Sequence, residues 1–195
     1  MLETIKTWDR QLLLAINHAH SPVFDAIMVF ASNRLVWFPA YALLIGWLIY
    51  YFRHRVLLLL PLVIAAVALA DTVTSRLFKP YFGRPRPCHD AVILTQLYLP
   101  DGCGGQFGFL SSHAANSMAL AVFLTIALPA GRFRGVKIGV FVWALLLSYS
   151  RMYLGAHYPT DVLGGAAIGA LLGWIAALAY QHLASGWWPD TRASA

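Results

Sequence analysis

Three ionisable residues lie close together between two long apolar runs near the end of the chain. Residues 150–161, with the sequence SRMYLGAHYPTD, include Arg151, His157 and Asp161. Pro159 suits the first turn of a helix, which puts His157 just outside that helix and Asp161 in its first turn. An aspartate there can accept the imidazole N–H and stabilise the imidazolium, as for an activated nucleophile. Asp161 also fits a plain structural role, because a carboxylate is favourable at a helix N-terminus.

A second polar segment, residues 79–87, places three cations among prolines and a glycine. Its sequence is KPYFGRPRP, and its cations are Lys79, Arg84 and Arg86. The prolines bar a helix interior and stiffen the turn, so the cations are held in a fairly fixed arrangement. Arginine grips phosphate oxygens with a planar fork, and lysine acts as a compact charge. Snorkelling to the membrane edge is the alternative; it explains Lys79 or Arg84 alone but not the stiff prolines.

A third segment, Phe109-Leu-Ser-Ser-His113, leads directly into an apolar helix. Ser111 or Ser112 is a good N-cap for that helix, and the free N–H groups of its first turn would form an anion site. His113 would then lie in the first turn. A lone histidine at a membrane edge is commonly an interfacial residue, but the adjacent serines and the cations of the second segment favour a functional site.

Together the three segments offer two histidines, three or four cations and one carboxylate. Zinc and magnesium sites need more anionic or sulfur ligands and fewer positive neighbours, so we predict neither a bound metal nor another cofactor. The set suits a phosphate group: the cations bind it, one histidine attacks phosphorus and the other protonates the leaving oxygen. Phosphoryl transfer depends on positioning and charge stabilisation, and these residues can supply both.

The elements that must position these residues are built for a bilayer. Of the 195 residues, 59% are hydrophobic and 11% are charged, against about 25% charged in a soluble domain. Five nearly charge-free segments, extended by their flanks, approach the roughly 20 residues that cross a membrane as a helix. A buried soluble core is the alternative, but these segments leave no polar face to cover them. The segments are Val36–Phe52, Val56–Ala70, Ala114–Leu128, Ile138–Tyr149 and Val162–Tyr180.

We therefore predict a single all-α domain over residues 1–195, a polytopic transmembrane bundle of five to six spans. Leu2–Asn17 has the periodicity of an amphipathic helix. Ser21–Ser32 is shorter, and we expect residues 1–33 to form an interfacial helix followed by a re-entrant or half-span helix; a sixth full span is the alternative. The expected apolar face of the first helix consists of Leu2, Ile5, Trp8, Leu12 and Ile16.

Alternating directions of the five spans bring the three polar segments to one side of the membrane. The long polar loop, residues 80–110, lies on that side and contains Cys88 and Cys103. Because disulfides persist outside the cytoplasm, we predict a Cys88–Cys103 bridge and an extracytoplasmic location for this face; two free thiols are the alternative. A bridge that closes a loop of about fifteen residues contributes roughly 3 kcal/mol to the free energy of unfolding.

The three segments resemble the signature motifs of the type 2 phosphatidic acid phosphatase superfamily, which dephosphorylates lipid phosphates in membranes. Lys79 to Pro87 fits K-x6-R-P, Leu110-Ser-Ser-His113 is similar to P-S-G-H, and Ser150 to Asp161 fits S-R-x5-H-x3-D. The order and spacing extend over about 80 residues. The resemblance implies a metal-independent phosphatase that acts through a phosphohistidine intermediate.

The resemblance also implies a role for each matching residue. His157 is the expected nucleophile, Asp161 orients it and His113 protonates the leaving group. The second motif departs from the pattern, since Leu110 replaces proline and Ser112 replaces glycine, but the Ser112 backbone N–H is retained and we expect activity to survive. Arg84 lies outside the core pattern, and its accessory role stays open. The residues expected to bind the substrate phosphate are Lys79, Arg86, Arg151, Ser111 and Ser112.

The substrate is expected to be a lipid phosphate or pyrophosphate. The small size of the chain and the segment Phe24–Phe30 look similar to bacterial undecaprenyl pyrophosphate phosphatases of this superfamily, which favours that substrate and the bacterial inner membrane, with the site facing the periplasm or outside. Phosphatidylglycerophosphate, phosphatidic acid and lipid A phosphates are alternatives.

Two other classes of protein are alternatives to a lipid phosphatase. A vanadium-dependent haloperoxidase has a similar anion pocket, but it is soluble, and the apolar spans argue against it. A non-catalytic lipid-phosphate transporter or scaffold would be expected to lack one of the motif residues.

The last predicted span carries a stripe of small residues. Gly165, Gly169 and Gly173 recur every four residues on one face, and such spacing permits close contact between membrane helices. Packing within the bundle is the preferred use, and a homodimer through this face is the alternative. The expected partners are therefore the lipid substrate, the bilayer and, through the glycine face, a second copy; no nucleic acid is expected.

Overall fold

The apolar segments form helices in the computed structural model, which describes residues 2–187. The predicted all-α fold is confirmed, since no β-strand forms within this range. Short 3-10 turns connect several of the helices, and a stretch of π-helix, Val73–Phe78, joins α4 to α5. The helices are α1 Leu2–His18, α2 Pro22–Ser32, α3 Phe38–Phe52, α4 Val56–Thr72, α5 Lys79–Phe82, α6 Ser112–Ala127, α7 Arg134–Tyr153 and α8 Pro159–Trp187.

Each of the five predicted apolar segments coincides with one of the helices α3, α4, α6, α7 and α8. Within the described residues, three continuous helical stretches are long and apolar enough to cross a membrane: Arg34–Phe82, Arg134–Tyr153 and Pro159–Ser185. The first of them contains both α3 and α4, and α6 is apolar but shorter. Counting α1 and α2 as one broken span gives a fourth.

The N-terminal region forms the two predicted helices, and most of the predicted apolar face of the first one is exposed. Helices α1 and α2 meet at an angle of 117°, and the Ser21 side chain caps α2. Of the expected apolar face of α1, Trp8 is 70% exposed and Leu12 is 50% exposed. The residues that α1 buries are Asp9, Leu13 and Asn17. Trp8 and Leu12 thus face outward, as suits an interfacial helix against lipid, whereas the buried face combines Leu13 with two polar residues.

Helix α6 forms the centre of the bundle and packs against α4, α7 and α8. The glycine stripe of α8 lies directly on α6, so close that a Cβ at Gly165, Gly169 or Gly173 would clash with the backbone of Ser111, Ala115 or Ala119. The preferred use of this stripe, packing within the bundle, is confirmed. The alternative of a homodimer through this face stays a prediction, and α6 covers the face in this arrangement.

Helix α3 stands apart from this core and contacts chiefly α4 and the short turns that flank it. A cavity of about 510 Å³ lies between α3 and the helices α4, α6 and α7. Its walls are largely apolar and include Trp37, Leu48, Val63, Leu120 and Trp143.

The loop between α5 and α6 folds back over the ends of the helices. It contains a Cys88–Cys103 disulfide bond, so the two cysteines are paired and not free. A single antiparallel bridge between Pro85 and Phe107 ties its two arms together. The disulfide and the bridge therefore restrain the part of the loop that contains Arg84 and Arg86.

Candidate active site

His157 lies in the tight turn between α7 and α8. The turn is possible because Gly155 adopts a left-handed conformation, with φ of +66°, and lies against the Leu99 and Asn17 side chains. The backbone N–H of His157 donates to the Arg151 carbonyl at 3.1 Å. The His157 side chain is almost fully buried, so the turn and the surrounding loop hold the imidazole in one place.

Asp161 lies beside this imidazole and makes several other contacts. Its Oδ2 is 3.6 Å from His157 Nδ1, which is longer than a hydrogen bond. The same Oδ2 accepts the Tyr158 N–H at 3.0 Å, so Asp161 also caps the start of α8 in the manner of a capping box. Its Oδ1 accepts from Arg84 at 2.8 Å. The predicted structural role of Asp161 at the start of α8 is therefore confirmed, and its predicted role toward His157 stays a prediction.

The surroundings of His157 disfavour the protonated form of its imidazole. Burial lowers the pKa of His157 well below its ordinary value, and the nearby positive charges of Arg151, Arg86 and Lys79 lower it further. The Nδ1 atom makes no hydrogen bond with the described residues. An imidazole must be neutral to act as a nucleophile, and Nε2 is the ring nitrogen that does not face Asp161.

The N-terminus of α6 meets the start of α8 in this region. Ser111 is the N-cap of α6 and is fully buried. Its N–H donates to the Asp161 carbonyl at 2.9 Å, which ties the second motif to the third. This contact brings the N-terminus of α6 beside the first turn of α8, which follows His157, and a helix N-terminus favours an anion.

Lys79 reaches this helix N-terminus from the end of the π-helical stretch. Its Nζ donates to Ser112 Oγ at 3.1 Å, and the Thr74 hydroxyl is hydrogen-bonded to the same Ser112 Oγ at 2.9 Å. A π-helix changes the angular register of the residues that follow it and is frequent at functional sites. Here it turns Lys79 toward Ser112, and Gly83, with φ of +55°, then ends the helix.

Arg151 is the most enclosed cation of the group. It is 8% exposed, and its guanidinium donates to Ser32 at the end of α2. Its buried Nε makes no hydrogen bond with the described residues. Because a buried N–H donor without a partner is costly, this Nε is suited to an incoming anion.

Arg86 and Arg84, two residues apart in the loop, have different surroundings. Arg86 is placed by a hydrogen bond from its Nε to the Phe107 carbonyl at 3.3 Å. Burial lowers the pKa of Arg86, and the negative charge of Asp161 partly offsets that effect. Arg84 makes ion pairs with Asp9 at 2.5 Å and with Asp161 at 2.8 Å. Arg86 therefore belongs to the cationic group, whereas Arg84 is engaged by two carboxylates.

The three predicted motifs are thus brought to one end of the bundle. His113 lies close enough to His157, Arg151 and Lys79 to interact electrostatically with them. His113 and Ser112 also line the apolar cavity between α3 and α6. Positive charge dominates this cluster, so it is suited to a tetrahedral oxyanion held by lysine, arginine and backbone donors.

Sequence reasoning missed several residues of this region. Asp9, Ser32 and Thr74 are buried polar residues that contact Arg84, Arg151 and Ser112 respectively. One signal was present in α1, where Asp9, Leu13 and Asn17 recur every four residues and form its buried face. Nothing local to Ser32 or Thr74 distinguishes them from other hydroxyl residues at helix ends.

Comparison with known proteins agrees with this arrangement. The model of the PAP2 superfamily matches residues 56–184. The chain is 39% identical over 178 residues to a lipid A 4'-phosphatase of Bacteroides thetaiotaomicron, covering 90% of this chain and 78% of the relative. It is 29% identical over 158 residues to the undecaprenyl-diphosphatase BcrC of Bacillus subtilis, covering 80% and 75%.

The fold is also similar to that of a solved structure. The crystal structure of Aquifex aeolicus LpxE superimposes with a TM-score of 0.63 at 27% sequence identity, over 85% of this chain and 92% of that one. The family match includes Lys79, Arg86, His113, Arg151 and His157, which are the residues that meet at the end of the bundle. The chain therefore belongs to the PAP2 superfamily, and it is a multi-pass membrane lipid phosphatase.

Proposed function

We propose that this protein hydrolyses a phosphate ester of a lipid through a covalent phosphohistidine at His157. One observation carries the proposal: the cationic cluster and the apolar cavity meet at Ser112 and His113. A phosphate in the cluster would thus have its lipid part beside an apolar groove, the combination of few polar groups and a largely apolar wall that is typical of ligand pockets.

The proposed reaction has two steps. In the first, Nε2 of His157 forms a bond to phosphorus as the bond to the lipid oxygen breaks, and His113 donates a proton to that oxygen. In the second, water attacks phosphorus and gives a proton to His113, the N–P bond breaks and inorganic phosphate leaves. Lys79, Arg86 and Arg151 balance the charge on the phosphoryl oxygens, as phosphoryl transfer requires.

The groups proposed to bind the phosphate are those that offer hydrogen-bond donors to it. The Ser111 N-cap and the Ser112 amide lie at the N-terminus of α6, where an anion is stabilised. Arg151 offers its buried Nε, and Lys79 already contacts Ser112. No step requires a metal or an organic cofactor, so we expect full activity in the presence of a chelator.

For the lipid, we propose a glycolipid phosphate of the lipid A type as the first candidate. The 39% identity to the lipid A 4'-phosphatase of Bacteroides thetaiotaomicron supports this choice. A second support is the pair Asp71 and Asn116, which are hydrogen-bonded at 3.1 Å and line the cavity beside His113. Their carboxylate and amide groups can accept from and donate to sugar hydroxyls next to the leaving oxygen.

Undecaprenyl pyrophosphate is the second candidate, although the sequence had favoured it as the first. Arg34 lines the same cavity as His113, and its positive charge suits a second phosphate on the leaving group. Similarity to BcrC of Bacillus subtilis also supports this substrate. Phosphatidylglycerophosphate and phosphatidic acid complete the set to be compared.

We further propose that the protein resides in a bacterial inner membrane with this site on the extracytoplasmic side. The support is the Cys88–Cys103 disulfide in the loop that carries Arg84 and Arg86, since disulfides are rare in the cytoplasm.

The test is phosphate release by the detergent-solubilised protein from the four lipids side by side, with and without EDTA. The proposal predicts release from at least one of them, resistance to EDTA and loss in a His157→Asn variant. The lipid A phosphate is expected to give the highest kcat/KM. A higher value for undecaprenyl pyrophosphate would replace the first candidate with the second, and EDTA-sensitive turnover would contradict the metal-free mechanism.

A further inference from the structure

Arg84 is the centre of a buried polar network that connects α1 to the active site. One of its nitrogens donates to Asp161 Oδ1 at 2.8 Å and to the Thr160 hydroxyl at 2.7 Å. Its other terminal nitrogen donates to Asp9 Oδ2 at 2.5 Å. The guanidinium also lies over the Tyr158 ring, 4.1 Å from the centroid. A single arginine thus contacts three of the four residues that follow His157.

Asp9 is the member of this network that no sequence motif includes. It is 3% exposed, although the neighbouring residues of α1 are largely exposed. Its Oδ1 accepts the Thr160 N–H at 2.9 Å, a donor that has no partner within its own helix because it belongs to the first turn of α8. Its Oδ2 accepts from Arg84 and from the Thr160 hydroxyl. Asp9 therefore caps α8 from a different helix.

The charges in this network are not balanced. Asp9 and Asp161 share Arg84, which leaves one negative charge beside His157. With Asp9 neutral, Arg84 would cancel the charge of Asp161. The other charged groups that face His157 are Arg151, Arg86 and Lys79, all cations, and they oppose the positive charge that the imidazole ring acquires when it attacks phosphorus. The second carboxylate thus preserves the counter-charge that Asp161 supplies.

We propose that Asp9 is a positioning residue for the phosphatase reaction: it holds Arg84 and the start of α8 so that Asp161 faces His157 with its negative charge uncancelled. The inference rests on the proposed roles of His157 and Asp161. It assigns α1 a part in the reaction, because the amphipathic helix supplies a carboxylate to the nucleophile turn from more than 140 residues away along the chain.

The test is a double-mutant cycle in the full-length protein with inorganic phosphate release as the readout. Asp9→Asn keeps the shape of the side chain and removes its charge. We expect kcat to fall on the order of 10-fold, within the range of coupling between contacting residues of one network, with KM nearly unchanged because no phosphate-binding group is altered. In an Asp161→Asn background the same change is expected to have almost no further effect on kcat.

Two controls separate positioning from folding. Glu3→Gln alters an exposed α1 carboxylate that pairs with Lys6, and it is expected to leave kcat unchanged. Asp9→Glu retains the charge, and it is expected to recover part of the kcat lost in Asp9→Asn. Rates are normalised to folded protein measured by size-exclusion chromatography, so that a loss of folded enzyme does not count as a loss of kcat.

The outcomes distinguish the two proposals. If Asp161→Asn lowers kcat but Asp9→Asn does not, or if the Asp9→Asn effect persists in full in the Asp161→Asn background, the inference about Asp9 is wrong and the proposed function stands. If Asp161→Asn itself has no effect on kcat, the proposed role of Asp161 fails first. Equal losses in Asp9→Asn and Asp9→Glu would also overturn the inference, since retention of the negative charge would then make no difference to kcat.

Discussion

The Nδ1 atom of His157 lies 3.6 Å from Oδ2 of Asp161, while that carboxylate accepts hydrogen bonds from Tyr158 and Arg84. The carboxylate is therefore fixed by its other partners, and a small movement of the imidazole would complete the hydrogen bond. Catalytic hydrogen bonds are often long in the absence of substrate and shorten when it binds. Asp161 thus caps the helix, and under the proposed function it would support the histidine from the same position.

Replacement of Asp161 by asparagine should separate these two functions. Asp161→Asn keeps one oxygen to accept a hydrogen bond from the helix start but loses the charge that stabilises a positive imidazole. We expect kcat to fall by a factor on the order of 10² to 10⁴, the usual range for such a partner, with a small change in melting temperature. Steady-state phosphate release and thermal unfolding in detergent measure both effects.

The pH dependence of His157 follows from its lowered pKa. Burial and the nearby cations depress the pKa in the folded state, whereas an unfolded chain has the ordinary value of about 6.5. As pH falls below about 6.5, the unfolded state binds a proton that the folded state does not, so the free energy of unfolding decreases until the folded pKa is reached. His157 itself stays neutral through that range.

Nitrogen-15 NMR of histidine-labelled protein in micelles checks this prediction. The His157 resonance, assigned by its loss in His157→Asn, is expected to remain that of a neutral imidazole at pH values where a free histidine is already protonated. A midpoint at or above about 6.5, the ordinary value, would mean that the surrounding cations do not act on this ring.

The glycine contact between α6 and α8 predicts a large difference between two glycine substitutions. A Cβ at Gly169 would clash with the Ala115 backbone, whereas one at Gly139 would meet nothing within 4 Å. We expect Gly169→Ala to lower the free energy of unfolding by about 1–3 kcal/mol, as overpacking does. Gly139→Ala is the matched control, with little effect expected. Thermal unfolding of the two variants measures the difference, and equal melting temperatures would contradict the packing.

The disulfide gives a test of the orientation in the membrane. In intact cells, a membrane-impermeant alkylating agent should not label the chain, because Cys88 and Cys103 are paired and the chain has no other cysteine. Treatment with an impermeant reductant should then expose both thiols to the same agent, since the loop is proposed to face outward. Labelling only after cell lysis would place this loop, and the site with it, on the cytoplasmic side.

The sequence predicted the helices well because each long apolar run can satisfy its backbone polar groups only as a helix in lipid. It did not predict which face of α1 points inward. The regular spacing of Ile5, Trp8 and Leu12 indicates an apolar face, but it does not show whether that face contacts the protein core or the lipid. In this protein the face is exposed, as suits contact with lipid. The buried face combines two polar residues, Asp9 and Asn17, with Leu13.

The site was predictable where its residues are close in sequence and unpredictable where the fold joins distant segments. His157 and Asp161 are four residues apart at a helix start, so their proximity follows from local structure. Arg84 and Arg86 look alike in an extended loop, and their different surroundings depend on Asp9, 75 residues away from Arg84. The Arg151–Ser32 contact likewise joins residues 119 positions apart.

The most direct measurement of the central claim is the capture of phosphorus on His157. The protein is mixed with a ³²P-labelled lipid phosphate that it hydrolyses, quenched in alkali and digested, since a phosphohistidine survives base and is lost in acid. We predict an acid-labile label on the peptide that contains residue 157, and none in His157→Asn. Steady turnover without any label on that peptide, or a label that persists in His157→Asn, would contradict the account.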